Sequence, residues 1–266
     1  MYPELECVVE NRRWIHRKTP FPHVIASQVF KGWFYEDLEA AFSGIMANGF
    51  GNSPDQFSRR MANYDAYSIN FRPDVSEPLN VFISPAWHKL LTTVAGVETT
   101  CHINATIHHH QVGSASGRVH TDLNPAWFLD RDMSGHVQVA QHELCSYKHG
   151  FVSDGASRSR ETIRAIAMLF YLCNPDWTEG DGGETGLYGS RQDPVEKPVA
   201  VVPPINNSLL LFECTPYSFH SFLGNRRSPR NSVIMWLHRE KAEVLSRWGE
   251  SSIEGWPPAT LRTGLQ

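Results

Sequence analysis

The sequence predicts an α+β fold in which β-strands dominate and a few helices come first. Before residue 100, two segments carry apolar residues at helical spacing. After residue 100, short apolar or alternating segments are separated by clusters of Gly, Pro and Asn, as in antiparallel sandwiches and barrels. Apolar residues make up 41% of the 266, which is enough for the core of one domain. We therefore expect a single domain over 1–266, with a helical front over about 18–100 and a barrel over about 101–240.

Two helices are predicted in the front part. The first has apolar side chains on one helical face, at Phe34, Leu38, Phe42 and Ile45. The second begins where Ser84 can cap the helix and Pro85 fits the first turn, and it ends at Gly96. Its apolar stripe consists of Trp87, Leu90, Leu91 and Val94. Each helix therefore has one face suited to packing against a sheet.

The rear part contains six candidate strands. They span about 101–112, 118–123, 164–173, 199–202, 207–214 and 230–238. A long polar stretch over about 123–160 interrupts this pattern, and we expect an insertion or a lid there. The tail over 251–266 is polar and contains Pro257-Pro258, so we expect it to be loosely held.

Composition argues against several classes of protein. The formal charge is −4, so no overall basic field attracts nucleic acid or an anionic membrane. The longest apolar run, Ala165–Cys173, is too short for a membrane-spanning helix, which needs about 20 residues. The N-terminus has no apolar signal segment, and the five cysteines include no Cys-x-x-Cys pair. We expect a cytoplasmic protein without a disulfide framework, which binds neither nucleic acid nor a membrane.

The first candidate for chemistry is His120-Thr121-Asp122. On a strand, residues two apart face the same side, so His120 and Asp122 would project into one space. A second imidazole is available from His220, about a hundred residues further on, after a strand-like run and a turn. Two imidazoles and one carboxylate form the ligand set that suits Fe(II) and leaves coordination positions open.

A second candidate begins ten residues after His220. There, Arg230 opens a strand-like run, and a period of two places Arg230, Ser232, Ile234 and Trp236 on one face. A guanidinium and a hydroxyl on the inside of a small barrel make a bidentate site for a carboxylate.

A third motif completes the pattern. The apolar run that begins at Arg164 is followed by Gly182-Gly183-Glu184-Thr185, which predicts a buried strand, a glycine turn and a carboxylate presented by Glu184. Together these motifs resemble the 2-oxoglutarate/Fe(II)-dependent oxygenases, and more narrowly their prolyl-4-hydroxylase-like branch. The resemblance covers about 108–238, and the segment over 20–25 is similar to openings of that branch. It implies a double-stranded β-helix (a jelly-roll barrel) with supporting N-terminal helices against its outer face.

The resemblance also implies roles for the matching residues. His120, Asp122 and His220 would ligate Fe(II). Arg230 would pair with the distal carboxylate of 2-oxoglutarate, and Ser232 matches the serine of an Arg-x-Ser pattern in the family.

One departure from the family pattern concerns the cosubstrate contact. Related enzymes often carry a tyrosine about ten residues before the first metal ligand, where this chain has His110. Two residues could donate the hydrogen bond instead, His110 itself or Tyr171.

The implied reaction consumes 2-oxoglutarate and O₂ and releases succinate and CO₂. Related halogenases have a small residue in place of the carboxylate ligand, whereas this chain has Asp122, so the resemblance favours hydroxylation over halogenation. Desaturation, epoxidation, cyclisation and a need for ascorbate stay open. We expect the substrate to be a small metabolite or amino-acid-type molecule, free or carrier-tethered, with a peptidyl-prolyl residue as the main alternative. Glu184, Trp127 and Phe128 are the candidates for contact with it.

Two further hypotheses stay open, one of a protein without catalysis and one of a second type of enzyme. A jelly-roll protein without catalysis could bind a metal or a small ligand as a sensor, although an intact triad together with Arg230 argues against it. A cupin-type metalloenzyme would use His108 and His110, which share a strand face. The sequence leaves the oligomeric state open.

Overall fold

A computed structural model describes residues 2–48, 58–60, 67–131 and 136–256. The helices are α1 (Leu5–Val8), α2 (Gly32–Asn48), α3 (Pro85–Ala95) and α4 (Lys241–Trp248). The strands before residue 130 are β1 (Ile15–Arg17), β2 (His23–Ser27), β3 (Ser58–Arg60), β4 (Tyr67–Asn70), β5 (His102–His110) and β6 (Pro125–Leu129). The later strands are β7 (Gln138–Val139), β8 (Ser159–Tyr171), β9 (Thr185–Leu187), β10 (Ala200–Val202), β11 (Ser208–Glu213), β12 (His220–Phe222) and β13 (Arg230–Arg239).

The strands form a large sheet and a small one. The large sheet has the order β1-β2-β11-β8-β13-β5-β4-β3, with β6 beside β8 and β7 beside β5, and the small sheet has the order β10-β9-β12. All pairs are antiparallel except the short β5–β7 pair. Among the described strands, neither hydrogen-bonded ladder closes on itself. The predicted β-dominated α+β class is confirmed.

Both predicted helices are present, and α3 begins and ends where the sequence predicts. The Ser84 hydroxyl accepts a hydrogen bond from the Trp87 amide at 3.1 Å, and Gly96 ends α3 in the left-handed conformation, with φ 65°. The predicted faces of α2 and α3 lie in one apolar cluster with the outer face of the large sheet. Their burial therefore follows from the helical spacing of their apolar residues.

The front part also supplies strands, which the sequence analysis did not predict. β2 pairs with β11 along five residues, and β4 pairs with β5. These strands are only four or five residues long, so their periodicity is too short to separate them from loops. The front is therefore part of the large sheet as well as its helical cover.

Most of the strands predicted in the rear part are present, with two corrections. The segment over 118–123 is no strand, because within it only His120 makes a bridge, and that bridge is to His220. The expected insertion over 123–160 contains β6 and β7, and β6 pairs with the first residues of β8. Much of this stretch therefore packs on the large sheet.

The predicted loose tail is also corrected in part. Up to Trp256 it is held, since the Glu254 amide donates to Leu123 O at 2.9 Å and Trp256 Nε1 donates to Pro125 O at 2.8 Å. Residues 257–266 lie outside the described residues. Within the described part of the chain, no helix is long and apolar enough to cross a membrane.

The two faces of β13 separate the core from the site. Val233 and Met235 belong to the large apolar cluster beneath the helices, whereas Ile234 and Trp236 belong to a second cluster on the opposite face. This alternation is the expected period of two. It places Arg230 on the face that carries Ile234 and Trp236, between the large and the small sheet.

Candidate active site

A backbone bridge between His120 and the first residue of β12 brings three potential metal ligands together. The backbones of His120 and His220 pair through two hydrogen bonds, of 3.1 Å and 2.9 Å, although the residues are a hundred positions apart. One ligand atom each from His120, Asp122 and His220 then lie within 4.8 Å of one another. The Asp122 oxygens lie 3.9 Å from His120 Nε2 and 3.7 Å from His220 Nε2. The three side chains singled out in the sequence thus form one cluster.

Backbone carbonyls fix which imidazole nitrogen faces the cluster. His120 Nδ1 lies 2.8 Å from Arg118 O, and His220 Nδ1 lies 3.0 Å from Ser218 O. Because a carbonyl only accepts, each Nδ1 carries the proton and each Nε2 keeps its lone pair for a metal.

The protonation states of the cluster suit a metal as well. Burial, together with nearby His120, lowers the pKa of His220 to about 4, so its ring is neutral at pH 7. Burial alone would raise the pKa of Asp122, but the charge of Arg164 and the nearby imidazoles lower it to about 2. The cluster therefore offers a carboxylate and neutral imidazole, the donor set of mononuclear Fe(II) sites with open positions.

Two further side chains hold Asp122. Arg164 Nη1 donates to Oδ1 at 2.9 Å, and Trp236 Nε1 donates to Oδ2 at 2.7 Å. Arg164 is not among the site residues predicted from the sequence. The available signal was a charged residue at the start of an otherwise apolar strand, which needs a buried partner.

A cavity of about 250 Å³ lies against the cluster, between the two sheets. Residues of both sheets, of the loop before β6 and of the C-terminal segment line this cavity. Besides the cluster, its walls include Arg118, Lys148, Thr185, Phe222, Arg230 and Trp256. A small molecule or a single side chain could enter it.

Arg230 is the feature of this cavity that most clearly calls for a ligand. Its side chain is almost fully buried, and its Nη2 donates to Thr185 Oγ1 at 3.1 Å. Among the described residues, Nε and Nη1 have no hydrogen-bond partner and no carboxylate pairs with the guanidinium. Since a buried cation without an anion is costly, the pocket fits a carboxylate ligand that would supply the missing acceptors.

The neighbours of Arg230 include two predicted residues and one that was missed. Ser232 is fully buried, and its Oγ has no partner among the described residues. The Tyr171 hydroxyl lies 2.8 Å from Thr185 Oγ1, so Thr185 joins Tyr171 to Arg230. Thr185 is not among the residues predicted from the sequence; the adjacent Glu184, which is predicted, is half-buried and does not line the cavity.

The histidines of β5 occupy different positions. His110 pairs in register with Arg230 and stacks on Phe222, with ring centroids 3.8 Å apart, but it does not line the cavity. His108 does line it. Neither belongs to the cluster of three or more potential ligands that the described residues form, so the geometry does not support a cupin-type site at this pair.

The two aromatic candidates for substrate contact lie elsewhere. Phe128 is buried between His102 and His238, with both ring centroids 4.8 Å away, and Trp127 packs against Gly150. Neither lines the cavity, because β6 runs along the edge of β8 and packs its alternate side chains into a separate cluster. The aromatic residues that line the cavity include Trp256, in the tail that the sequence predicts to be loose.

Comparison with known proteins also finds 2-oxoglutarate/Fe(II) oxygenases. The family model described as "2OG-Fe(II) oxygenase superfamily" matches residues 143–238. A prolyl 3,4-dihydroxylase of Ostreococcus tauri is 33% identical over 96 residues, which cover 34% of this chain and 19% of that protein. A prolyl 3-hydroxylase of Xenopus laevis is 37% identical over 78 residues, which cover 28% of this chain and 15% of that protein. The match thus spans less than a fifth of these relatives.

Solved structures resemble the chain over most of its length. A Pseudomonas putida prolyl-4-hydroxylase has a TM-score of 0.52 and 16% identity, with 82% of this chain and 92% of that chain covered. A prolyl hydroxylase of Trichoplax adhaerens has a TM-score of 0.52 and 16% identity, with 84% and 86% covered. This likeness confirms the predicted double-stranded β-helix fold. The family uses Fe(II), 2-oxoglutarate and O₂, and the His/Asp/His cluster beside a buried arginine fits the metal and the cosubstrate. The motifs and the family match over residues 143–238 therefore show that the chain is similar to the 2-oxoglutarate/Fe(II) oxygenase superfamily, and its fold is that of the prolyl-4-hydroxylase structures.

Proposed function

We propose that this protein is an Fe(II)- and 2-oxoglutarate-dependent dioxygenase that hydroxylates a prolyl residue of a peptide or protein. The observation that carries the proposal is the buried Arg230, whose Nε and Nη1 lack partners among the described residues, in the same cavity as the His/Asp/His cluster. The Ostreococcus tauri and Xenopus laevis relatives are both named as prolyl hydroxylases. This support favours a prolyl substrate over the small metabolite that the sequence analysis put first.

Each group of residues has a separate task in this function. His120, Asp122 and His220 would hold the metal, and Arg230 would bind the distal carboxylate of 2-oxoglutarate. When bound, Fe(II) would activate O₂, and the oxidation of 2-oxoglutarate to succinate and CO₂ would supply two of the electrons that O₂ takes up, the other two coming from the C–H bond that is hydroxylated. The protein orients the substrate and excludes water, since apolar surfaces of Ile234 and other core residues line the cavity.

The size of the cavity limits what can reach the metal. Its volume of about 250 Å³ must accommodate the metal, the cosubstrate and the oxidised group together. A single prolyl ring is small enough to enter, while the rest of a peptide would stay outside; Trp256 and Lys148 are half-buried residues of the lining. We therefore place the peptide backbone outside the cavity, against these two residues.

The test is 2-oxoglutarate turnover by protein loaded with Fe(II) without oxygen and then exposed to O₂, with and without ascorbate. Prolyl peptides should increase succinate formation and gain 16 Da, whereas free L-proline should do neither. Arg230→Ala should abolish binding of 2-oxoglutarate, and Asp122→Ala should abolish turnover. Arg227→Ala is the matched control, because that arginine is exposed and outside the cavity.

Two outcomes would count against the proposal. If wild-type protein bound no 2-oxoglutarate in the presence of metal, the oxygenase function would be wrong and a sensor would be favoured. If only free small molecules stimulated turnover, the class would stand and the prolyl substrate would be wrong.

A further inference from the structure

We propose that Arg164 is a positioning residue of the metal centre, which orients Asp122 and connects it to the segment between β6 and β8. The proposal rests on the metal site of the proposed function. It goes further because it assigns a task to a residue that is not itself a ligand.

The first step is the way Asp122 is held. Its two oxygens are bound by different donors on different strands, Oδ1 by Arg164 at 2.9 Å and Oδ2 by Trp236 at 2.7 Å. A carboxylate bound on both oxygens cannot rotate freely about its Cβ–Cγ bond. The remaining lone pairs therefore keep a fixed direction towards His120 and His220, from which the oxygens lie less than 4 Å away.

The second step is the way Arg164 itself is held. Its side chain is 6% exposed, and its guanidinium lies 3.7 Å from the ring centroid of Trp236 and 4.8 Å from that of Trp256. Its Nε also donates to the Tyr147 hydroxyl at 3.2 Å. Two ring contacts and two directed hydrogen bonds require a planar, forked cation, which lysine cannot replace.

Further hydrogen bonds lead from Tyr147 away from the candidate metal ligands. The Tyr147 hydroxyl lies 2.8 Å from His238 Nε2, and His238 Nδ1 lies 3.0 Å from His102 O. The ring of His238 thus ties Tyr147 to the backbone of β5. Arg164 is therefore held from three parts of the fold: the β6–β8 segment, the end of β13 and the C-terminal segment.

A purely structural role makes a different prediction. If Arg164 only neutralised Asp122, any cation of similar reach would serve, and metal affinity would not depend on the hydroxyl of Tyr147. If Arg164 orients the ligand, the loss of the fork or of its acceptor should weaken metal binding even in a well-folded protein. Partners of metal ligands typically contribute a factor of about 10–100 in metal affinity.

The experiment measures Co(II) binding by the metal-free full-length protein, through calorimetry and the visible absorption of the bound ion. Arg164→Lys should weaken binding about 10- to 100-fold and alter the absorption bands, and Tyr147→Phe should weaken it several-fold. Arg160→Lys is the matched control on the same strand, because Arg160 is exposed and pairs with Glu240. Thermal unfolding of the metal-free proteins checks that each variant folds.

The outcomes separate this inference from the proposed function. Wild-type affinity and spectrum in Arg164→Lys would show that Arg164 is only structural. Should Arg164→Lys fail to fold, Tyr147→Phe decides, and a change in affinity of less than about twofold would overturn the proposal. If wild-type protein bound no Co(II), or bound it equally well as His220→Ala, the metal site itself would be wrong.

Discussion

Thr185 is the residue that holds the guanidinium of Arg230 in place. Its hydroxyl oxygen accepts from Arg230 Nη2 at 3.1 Å and lies 2.8 Å from the Tyr171 hydroxyl. All three side chains are buried. The position of the cation is therefore set by a neutral hydroxyl, which leaves its charge available for a ligand.

We expect Thr185→Val to weaken 2-oxoglutarate binding about tenfold, because valine keeps the shape and removes the acceptor of a charge-assisted hydrogen bond. The measurement is calorimetric titration of Mn(II)-loaded protein with 2-oxoglutarate in the absence of oxygen. Thr93→Val, at an exposed position of α3, is the control. Unchanged affinity in Thr185→Val would mean that Arg230 is held by the surrounding packing alone.

At the scale of single residues, the sequence predicts the site residues that belong to a motif, but not those whose role depends on a tertiary contact. The motifs and the family resemblance together indicate His120, Asp122, His220 and Arg230. In the Gly-Gly-Glu-Thr segment the charged residue was chosen over Thr185, since a three-residue strand is too short to show which side faces inward. Trp236 was placed on the correct face, but its hydrogen bond to Asp122 depends on how two strands pack.

At the scale of elements, the C-terminal segment braces the loop that carries two of the candidate ligands. Glu254 accepts from the Thr121 hydroxyl at 2.8 Å and forms two hydrogen bonds with Arg191, of 2.7 Å and 2.6 Å. Although burial alone would raise the pKa of Glu254, these partners lower it, so the carboxylate is charged at neutral pH. Thr121 stands between His120 and Asp122, so the brace acts next to both.

We expect Glu254→Gln to lower the melting temperature by about 2–4 °C and Co(II) affinity several-fold, because Arg191 loses its partner and Thr121 its charged acceptor. Differential scanning calorimetry and metal titration measure the two effects. Glu250→Gln is the control, since that carboxylate is exposed in the same segment. If both variants behaved like the wild type, the segment would only cover the loop.

The contacts of this segment could not have been predicted from local sequence. Glu254 and Thr121 are 133 positions apart, and a polar tail near Pro257-Pro258 has the composition of a mobile end. The same limit applies to β2 and β4, which are strands because of the sheet they join. By contrast, α3 could be predicted to the residue, since its cap, first turn and terminal glycine are all local signals.

At the scale of the whole molecule, the large sheet separates a dry side from a polar side. The side beneath α2 and α3 is filled by apolar and aromatic side chains, whereas the other carries the cavity. Buried imidazoles lie at several points of the fold, and burial lowers the pKa of His102 to about 4 and that of His238 well below its usual value. Nearby Arg160 and Arg164 lower these pKa values further. Folding therefore keeps these rings neutral in a range where the unfolded chain binds protons.

This difference predicts that the metal-free protein begins to lose stability as the pH falls below about 6.5, before most carboxylates titrate. For His102, the unfolded ring has its usual pKa of 6.5 and the folded ring a pKa of about 4. Between these values the unfolded state binds the additional proton, so the free energy of unfolding falls as the pH falls, by about 1.4 kcal/mol per pH unit for this residue. Above about pH 6.5 the contribution is constant.

Chemical denaturation of the metal-free protein at several pH values, from about pH 7 to about pH 4.5, gives the slope of the free energy of unfolding against pH. In His102→Gln this slope should be smaller by about 1.4 kcal/mol per pH unit, since the variant lacks the imidazole that titrates. His16→Gln, at an exposed position of β1, should keep the wild-type slope. An equal slope in wild type and His102→Gln would mean that the acid sensitivity arises from the other buried imidazoles, His238 and His220, and that His102 is protonated without unfolding.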